Sequence, residues 1–141
     1  MVSGGRKINT RQFGELTIEE KHIFVFKEGL LGFEDLREFV LISEEETEPF
    51  KWLISMEKPE IGFPMLSPWY IDLSYDPGNS FDFNKQVIMV VVTLENEEGS
   101  MTANLKAPII LDVESQKGEQ VILPSDKYSP MHLIVSGEKQ Q

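Results

Sequence analysis

The side chains of this sequence that ordinarily titrate at or below neutral pH are 24 carboxylates and two histidines, and there is no cysteine. Thiolate nucleophiles, thiolate metal ligands and disulfides are therefore excluded. His22 and His132 each open an apolar run. They read as histidines at strand ends, and no histidine pair has the spacing that one helix face needs to hold a metal. A pair of carboxylates could act as acid and base on a glycoside. Seven of them, though, fall in two charge runs: Glu44, Glu45, Glu46 and Glu48, and again Glu95, Glu97 and Glu98. Dense like charges stay solvated, and a solvated carboxylate makes a poor general acid or base. Glu34 stands apart, beside Phe33 at a turn, and reads as a cap on the exposed amides of a short helical turn. No glycine-rich phosphate loop precedes a helix, and no serine sits in a nucleophile elbow. No catalytic, metal-binding or cofactor-binding residue is assigned, and the chain reads as a non-enzyme.

Two stretches are more distinctive than any of these groups. Glu28, Gly29, Leu30, Leu31, Gly32, Phe33 and Glu34 follow the apolar run Ile23, Phe24, Val25, Phe26. A strand that breaks into such a turn needs special backbone angles at Gly29 and Gly32, and the turn is expected to press Leu30, Leu31 and Phe33 inward. Further on, Asn104, Leu105, Lys106, Ala107 and Pro108 lead into Ile109. Asn104 can bond nearby backbone, and Pro108 forces Ala107 to be extended. This is either a stiff crossover between strands or a rigid edge that receives a partner, because proline blunts indiscriminate edge pairing. Among the aromatics, Trp52 reads as core. Trp69 and Tyr70 follow Pro68 in a loop-like setting, where such residues are either buried or anchors in an interface.

The elements that must position these residues are short strands. With 141 residues, 40% of them hydrophobic and 26% charged, the chain is globular and fits one domain over residues 1–141, with 1–6 and 137–141 expected to fray. Apolar alternation or β-branched runs predict strands at 7–13, 15–18, 22–26, 39–42, 50–54, 63–66, 86–94, 101–105, 109–113, 120–123 and 131–135. Residues 86–94 form the core strand, covered on both faces. A helical turn is expected at 34–37, and residues 116–118 are expected to turn the chain. Many short strands, little helical periodicity and eight prolines predict an all-β domain, barrel-like or a sandwich, of mostly antiparallel strands. The longest apolar run, 87–92, is far short of the roughly 20 residues a membrane helix needs. No signal peptide opens the chain, and the missing cysteines fit the cytoplasm. The formal charge of −11 repels nucleic acid and attracts a basic protein.

In their order these motifs resemble the FliW family of flagellar assembly factors. Ile8, Thr10, Phe13, Gly14 and Glu15 are similar to the family's opening strand and turn, and Phe26, Gly29, Leu30, Gly32, Phe33 and Glu34 to its glycine-bracketed signature. Phe39, Val40 and Leu41, then Pro49, Phe50, Trp52 and Leu53, are similar to the segment that follows. Val90, Val91, Val92 and Thr93, then Asn104, Leu105, Ala107, Pro108 and Ile109, are similar to the central strand and the asparagine–leucine–alanine–proline stretch. Gln120, Val121 and Ile122 are similar to the late strand, so the likeness runs over residues 8–128, and it departs most at 72–84.

The resemblance implies a small β-barrel-like protein without catalytic activity that binds CsrA, a small RNA-binding repressor of flagellin translation, and alternatively flagellin. Flagellin-bound protein leaves CsrA free to repress, and export of flagellin releases the protein to sequester CsrA. Expected contacts are the crossover residues Asn104, Leu105, Lys106 and Pro108 and an acidic rim at Glu45 and Glu46 or at Glu97 and Glu98. A rival expectation is a carbohydrate-binding or carbohydrate-active β domain with Trp52, Trp69 and Tyr70 exposed in a groove.

Overall fold

The computed structural model describes residues 5–79, 81–94 and 100–134. In it, seven strands close into a barrel. β1 (Arg6–Thr10) and β2 (Gly14–Ile18) form a separate hairpin. β3 (Ile23–Phe26), β4 (Glu38–Ile42), β5 (Lys51–Ser55), β6 (Gly62–Leu66) and β7 (Gln86–Leu94) follow as an antiparallel meander, with a 3₁₀ turn (Glu45–Thr47) between β4 and β5 and the helical turn α1 (Pro68–Ile71) between β6 and β7. β8 (Met101–Ala103) returns along the end of β7. β9 (Ile109–Asp112) pairs with the start of β7, and β10 (Lys117–Gln120) lies between β9 and β3, parallel to β3, which completes the ring. β11 (His132–Ile134) adds to the outer edge of β8. The expected all-β class is thus a closed barrel carrying a three-stranded flap rather than a sandwich.

Period-2 alternation makes three cores from these strands. Phe24, Phe26, Phe39, Leu53, Met65, Met89, Ile109 and Leu111 point into the barrel. The opposite faces of β3, β4 and β5 send Ile23, Val40 and Ile54 outward under the hairpin, against Ile8 and Ile18. The outer face of β7 sends Val90 and Val92 against Ala103, Leu105, Tyr75 and Tyr128. The middle of β7 is therefore covered on both faces, as its unbroken apolar run predicts. Fully buried Phe39 is typical of these cores, where truncation of such a ring to alanine costs about 3–5 kcal/mol.

Several local expectations are corrected. The late strand is Lys117–Gln120, not 120–123, and the chain turns just before it. Its inward position is Gly118, where a Cβ would collide with the Phe26 ring, so the strand shows no apolar alternation. Residues 34–37 form turns and not a helix, whereas the aromatic stretch after Ser67 is helical. Arg6, expected to fray, opens β1 and pairs with Glu20 at 2.8 Å and Glu38 at 3.1 Å. Gln116 tethers the parallel strand pair by donating its side-chain amide to the carbonyls of Glu20 and Ile23, both at 2.8 Å. Among the described residues, no helix is long and apolar enough to cross a membrane.

Candidate functional site

Strand register fixes which residues share one end of the barrel. β3, β5, β7 and β10 finish there, while β4, β6 and β9 begin there. The glycine-bracketed turn folds over this mouth. Leu30, only 4% exposed, plugs it. The turn is closed by Phe33 N–H donating to the Leu30 carbonyl at 2.7 Å and Gly29 N–H to the Phe26 carbonyl at 3.0 Å. Gly29 has φ 68, and a Cβ there would lie 2.7 Å from the Phe33 carbonyl oxygen. Only Leu30 obeys the expectation of inward packing. Leu31 is 52% exposed, and Phe33 rests its edge on Phe63 with ring centroids 5.1 Å apart. Glu34 caps no helix, and instead its carboxylate accepts the Gly32 N–H at 3.1 Å.

The crossover of residues 104–108 lies against the same mouth. Asn104 Oδ1 accepts the N–H groups of Lys106 at 3.1 Å and Ala107 at 2.9 Å. The Asn104 N–H bonds Val91, and the Leu105 N–H bonds Ser129. The carbonyls of Lys106 and Pro108 accept Leu123 and Val121, and the Leu105 carbonyl accepts the Tyr75 hydroxyl at 2.7 Å. Burial, with the nearby Tyr128 adding to it, holds the Tyr75 phenol well above its ordinary value. Its backbone is engaged within the chain, as a stiff crossover requires. Leu105 and Pro108, expected as contacts, are buried and offer no surface, whereas Asn104 and Lys106 are half-buried. Lys106 itself is held by the Ser125 carbonyl and Asp126.

Gln120 joins the two motifs. Its Oε1 accepts the Leu31 N–H at 2.8 Å, and its Nε2 donates to the Ala107 carbonyl at 3.1 Å. Between the plug and the crossover runs a groove of about 140 Å³, lined by Leu31, Phe63, Val91, Thr93, Asn104 and Gln120 together with Leu30. Small-molecule sites occupy roughly 300–1,000 Å³, so this groove suits an anchoring side chain. A second, larger cleft of about 410 Å³ lies outside β3, β9 and β10, beside Lys27, Glu28, Asp112, Lys117 and Glu119. Asp112 in it is held below the usual carboxylate range, first by the N–H of Ser115. A carboxyl held ionised in that way is a poor proton donor.

The expected acidic rims divide. Glu45 and Glu46 are exposed on a 3₁₀ turn between the end of β4 and the start of β5, at the far end of the barrel from the groove. Glu97 and Glu98 lie outside the described residues. Neither tryptophan stands free as a glycan site requires. Trp52 packs under the hairpin, and Trp69 donates its Nε1–H to the Tyr75 carbonyl at 2.9 Å. Among the described residues, no three potential metal ligands converge.

This architecture recurs in known proteins. A solved structure described as the crystal structure of the flagellar assembly factor FliW superposes with a TM-score of 0.82 at 31% identity, covering 90% of this chain and 95% of that one. Flagellar assembly factor FliW of Caldanaerobacter subterraneus subsp. tengcongensis is 37% identical over 92% of this chain and 93% of its own length. The protein of that name from Clostridium botulinum strain Alaska E43 is 38% identical, covering 86% of this chain and 93% of its own. The model of the family described as FliW protein matches residues 7–134, and the chain belongs to the FliW family of flagellar assembly factors.

Proposed function

We propose that this protein is a non-enzymatic, cytoplasmic regulator of flagellar assembly. It binds CsrA and, alternatively, flagellin, and so ties flagellin translation to flagellin export. Family membership across nearly the whole described chain carries the reading. The formal charge of −11 supports it, since an acidic protein is steered toward a basic RNA-binding partner and kept off the RNA itself. Occupancy by one partner at the expense of the other makes the switch a matter of mass action. Asn104 and Lys106 beside the mouth, and the carboxylates of Glu45, Glu46, Glu97 and Glu98, are the proposed contacts.

Titration calorimetry against purified CsrA at low and moderate salt, with flagellin as competitor, tests this. Tight binding that weakens with salt and is displaced by flagellin is the expected result. The absence of heat at any salt concentration would refute it.

A further inference from the structure

We infer that the groove at the barrel mouth seats an apolar side chain of CsrA, with Asn104 Nδ2 donating to a backbone carbonyl of the same segment; this rests on the CsrA-binding reading above. The plug turn buries Leu30 yet turns Leu31 and Phe33 outward, onto the rim of a groove floored by Phe63 and Val91. Large apolar side chains at such a rim are suited to be covered by a partner. Asn104 spends its oxygen on two amides of its own crossover, and its Nδ2 has no acceptor among the described residues. That leaves a half-buried donor beside apolar walls, which is the pairing that fixes a peptide backbone.

The same surface continues across the flap. Register places Thr93, Thr102 and Leu133 side by side on one face of β7, β8 and β11, and Leu133 is exposed there. An extended or helical segment therefore has a path beyond the anchor. Charge selects the occupant. The turn and its flanks carry exposed Glu28, Glu34 and Asp35 against the two cations Lys27 and Arg37, a net negative rim, and Arg37 already donates to the Glu34 carbonyl at 3.1 Å. An apolar residue flanked by lysine or arginine suits that rim, and a basic RNA-binding protein offers such segments.

The test measures the affinity of purified CsrA and of purified flagellin for the wild-type chain and three variants, each checked by thermal unfolding. Leu31→Ser removes an exposed anchor. Asn104→Asp keeps an oxygen for the Lys106 and Ala107 amides but removes the Nδ2 donor. Leu73→Ser, at a position 89% exposed and outside the groove lining, is the control. Loss of about tenfold or more in CsrA affinity for both groove variants, with the control unchanged, is expected. A parallel loss for flagellin upholds the seat and makes it shared. Wild-type affinity for CsrA in both groove variants, an equal loss in Leu73→Ser, or a loss confined to flagellin overturns the inference while leaving CsrA binding itself intact. A wild-type chain that does not bind CsrA removes both readings together.

Discussion

Gly29 and Gly32 bracket the plug with the same backbone hand, φ 68 and 84, but in different surroundings. Around Gly32 a Cβ would meet nothing within 4 Å. At Gly29 it would lie 2.7 Å from the Phe33 oxygen and the Glu34 Cα and 2.8 Å from the Glu34 oxygen, all backbone atoms that no side-chain rotation can clear. Alanine at either site incurs about 1–2 kcal/mol for the left-handed conformation. At Gly29 a crowding cost of about 1–3 kcal/mol adds to it. Gly29→Ala is thus expected to destabilise by about 2–5 kcal/mol and Gly32→Ala by about 1–2 kcal/mol. For a chain of this size roughly 3 °C of Tm corresponds to 1 kcal/mol, so the drops are about 6–15 °C and 3–6 °C. Thermal unfolding followed by circular dichroism distinguishes them. Equal shifts, or a larger one for Gly32→Ala, would refute the reasoning, because only at Gly29 does backbone stand in the way of a Cβ.

Two further outcomes follow from the packing. Gly118→Ala drives a methyl into the Phe26 ring and is expected to cost about 2 kcal/mol; in a double-mutant cycle with Phe26→Leu the penalty shrinks, and strict additivity would contradict the contact. Tyr75 is neutral in both folded and unfolded states below its ordinary pKa of about 10, so its contribution is fully present there. As pH rises beyond that, the unfolded chain ionises first and stability falls until the raised folded value is reached. Urea unfolding between pH 8 and about 11 should therefore show a steeper alkaline loss in the wild type than in Tyr75→Phe, and parallel curves would count against the burial that raises this phenol.

Most strands were legible because their burial follows a period of two. β4, β5, β7 and β9 carry large apolar residues on both a barrel face and an outer face, so their apolar runs stand out. β10 was not legible for the opposite reason: Lys-Gly-Glu-Gln contains no apolar residue, and its inward position is an absence filled by Phe26. Both motifs of the candidate site were visible as odd sequence, but their meeting was not. Leu31 and Gln120 bond across 89 positions, and nothing local in either residue announces the other. The outward turn of Leu31 and Phe33 also escaped, since two leucines and a phenylalanine between glycines read as core until Leu30 alone is seen to fill the mouth. Leu105 and Pro108 were expected at a surface because an asparagine–proline crossover signals rigidity, and rigidity alone does not tell inside from outside.

Closure by a parallel strand has a consequence for synthesis. Val25 in β3 finds Lys117 only after almost the entire barrel has been made, and β10 also needs β9 on its other side. Until then the meander from β3 to β7 is an open sheet whose β3 edge is bare, whose β7 edge is covered only by β8 and later β9, and whose apolar face is unsealed. Such edges invite pairing with other chains. A product ending before residue 109 keeps every strand of that meander and lacks both strands that close it, so premature termination there yields a sticky half-cylinder rather than a smaller version of the protein.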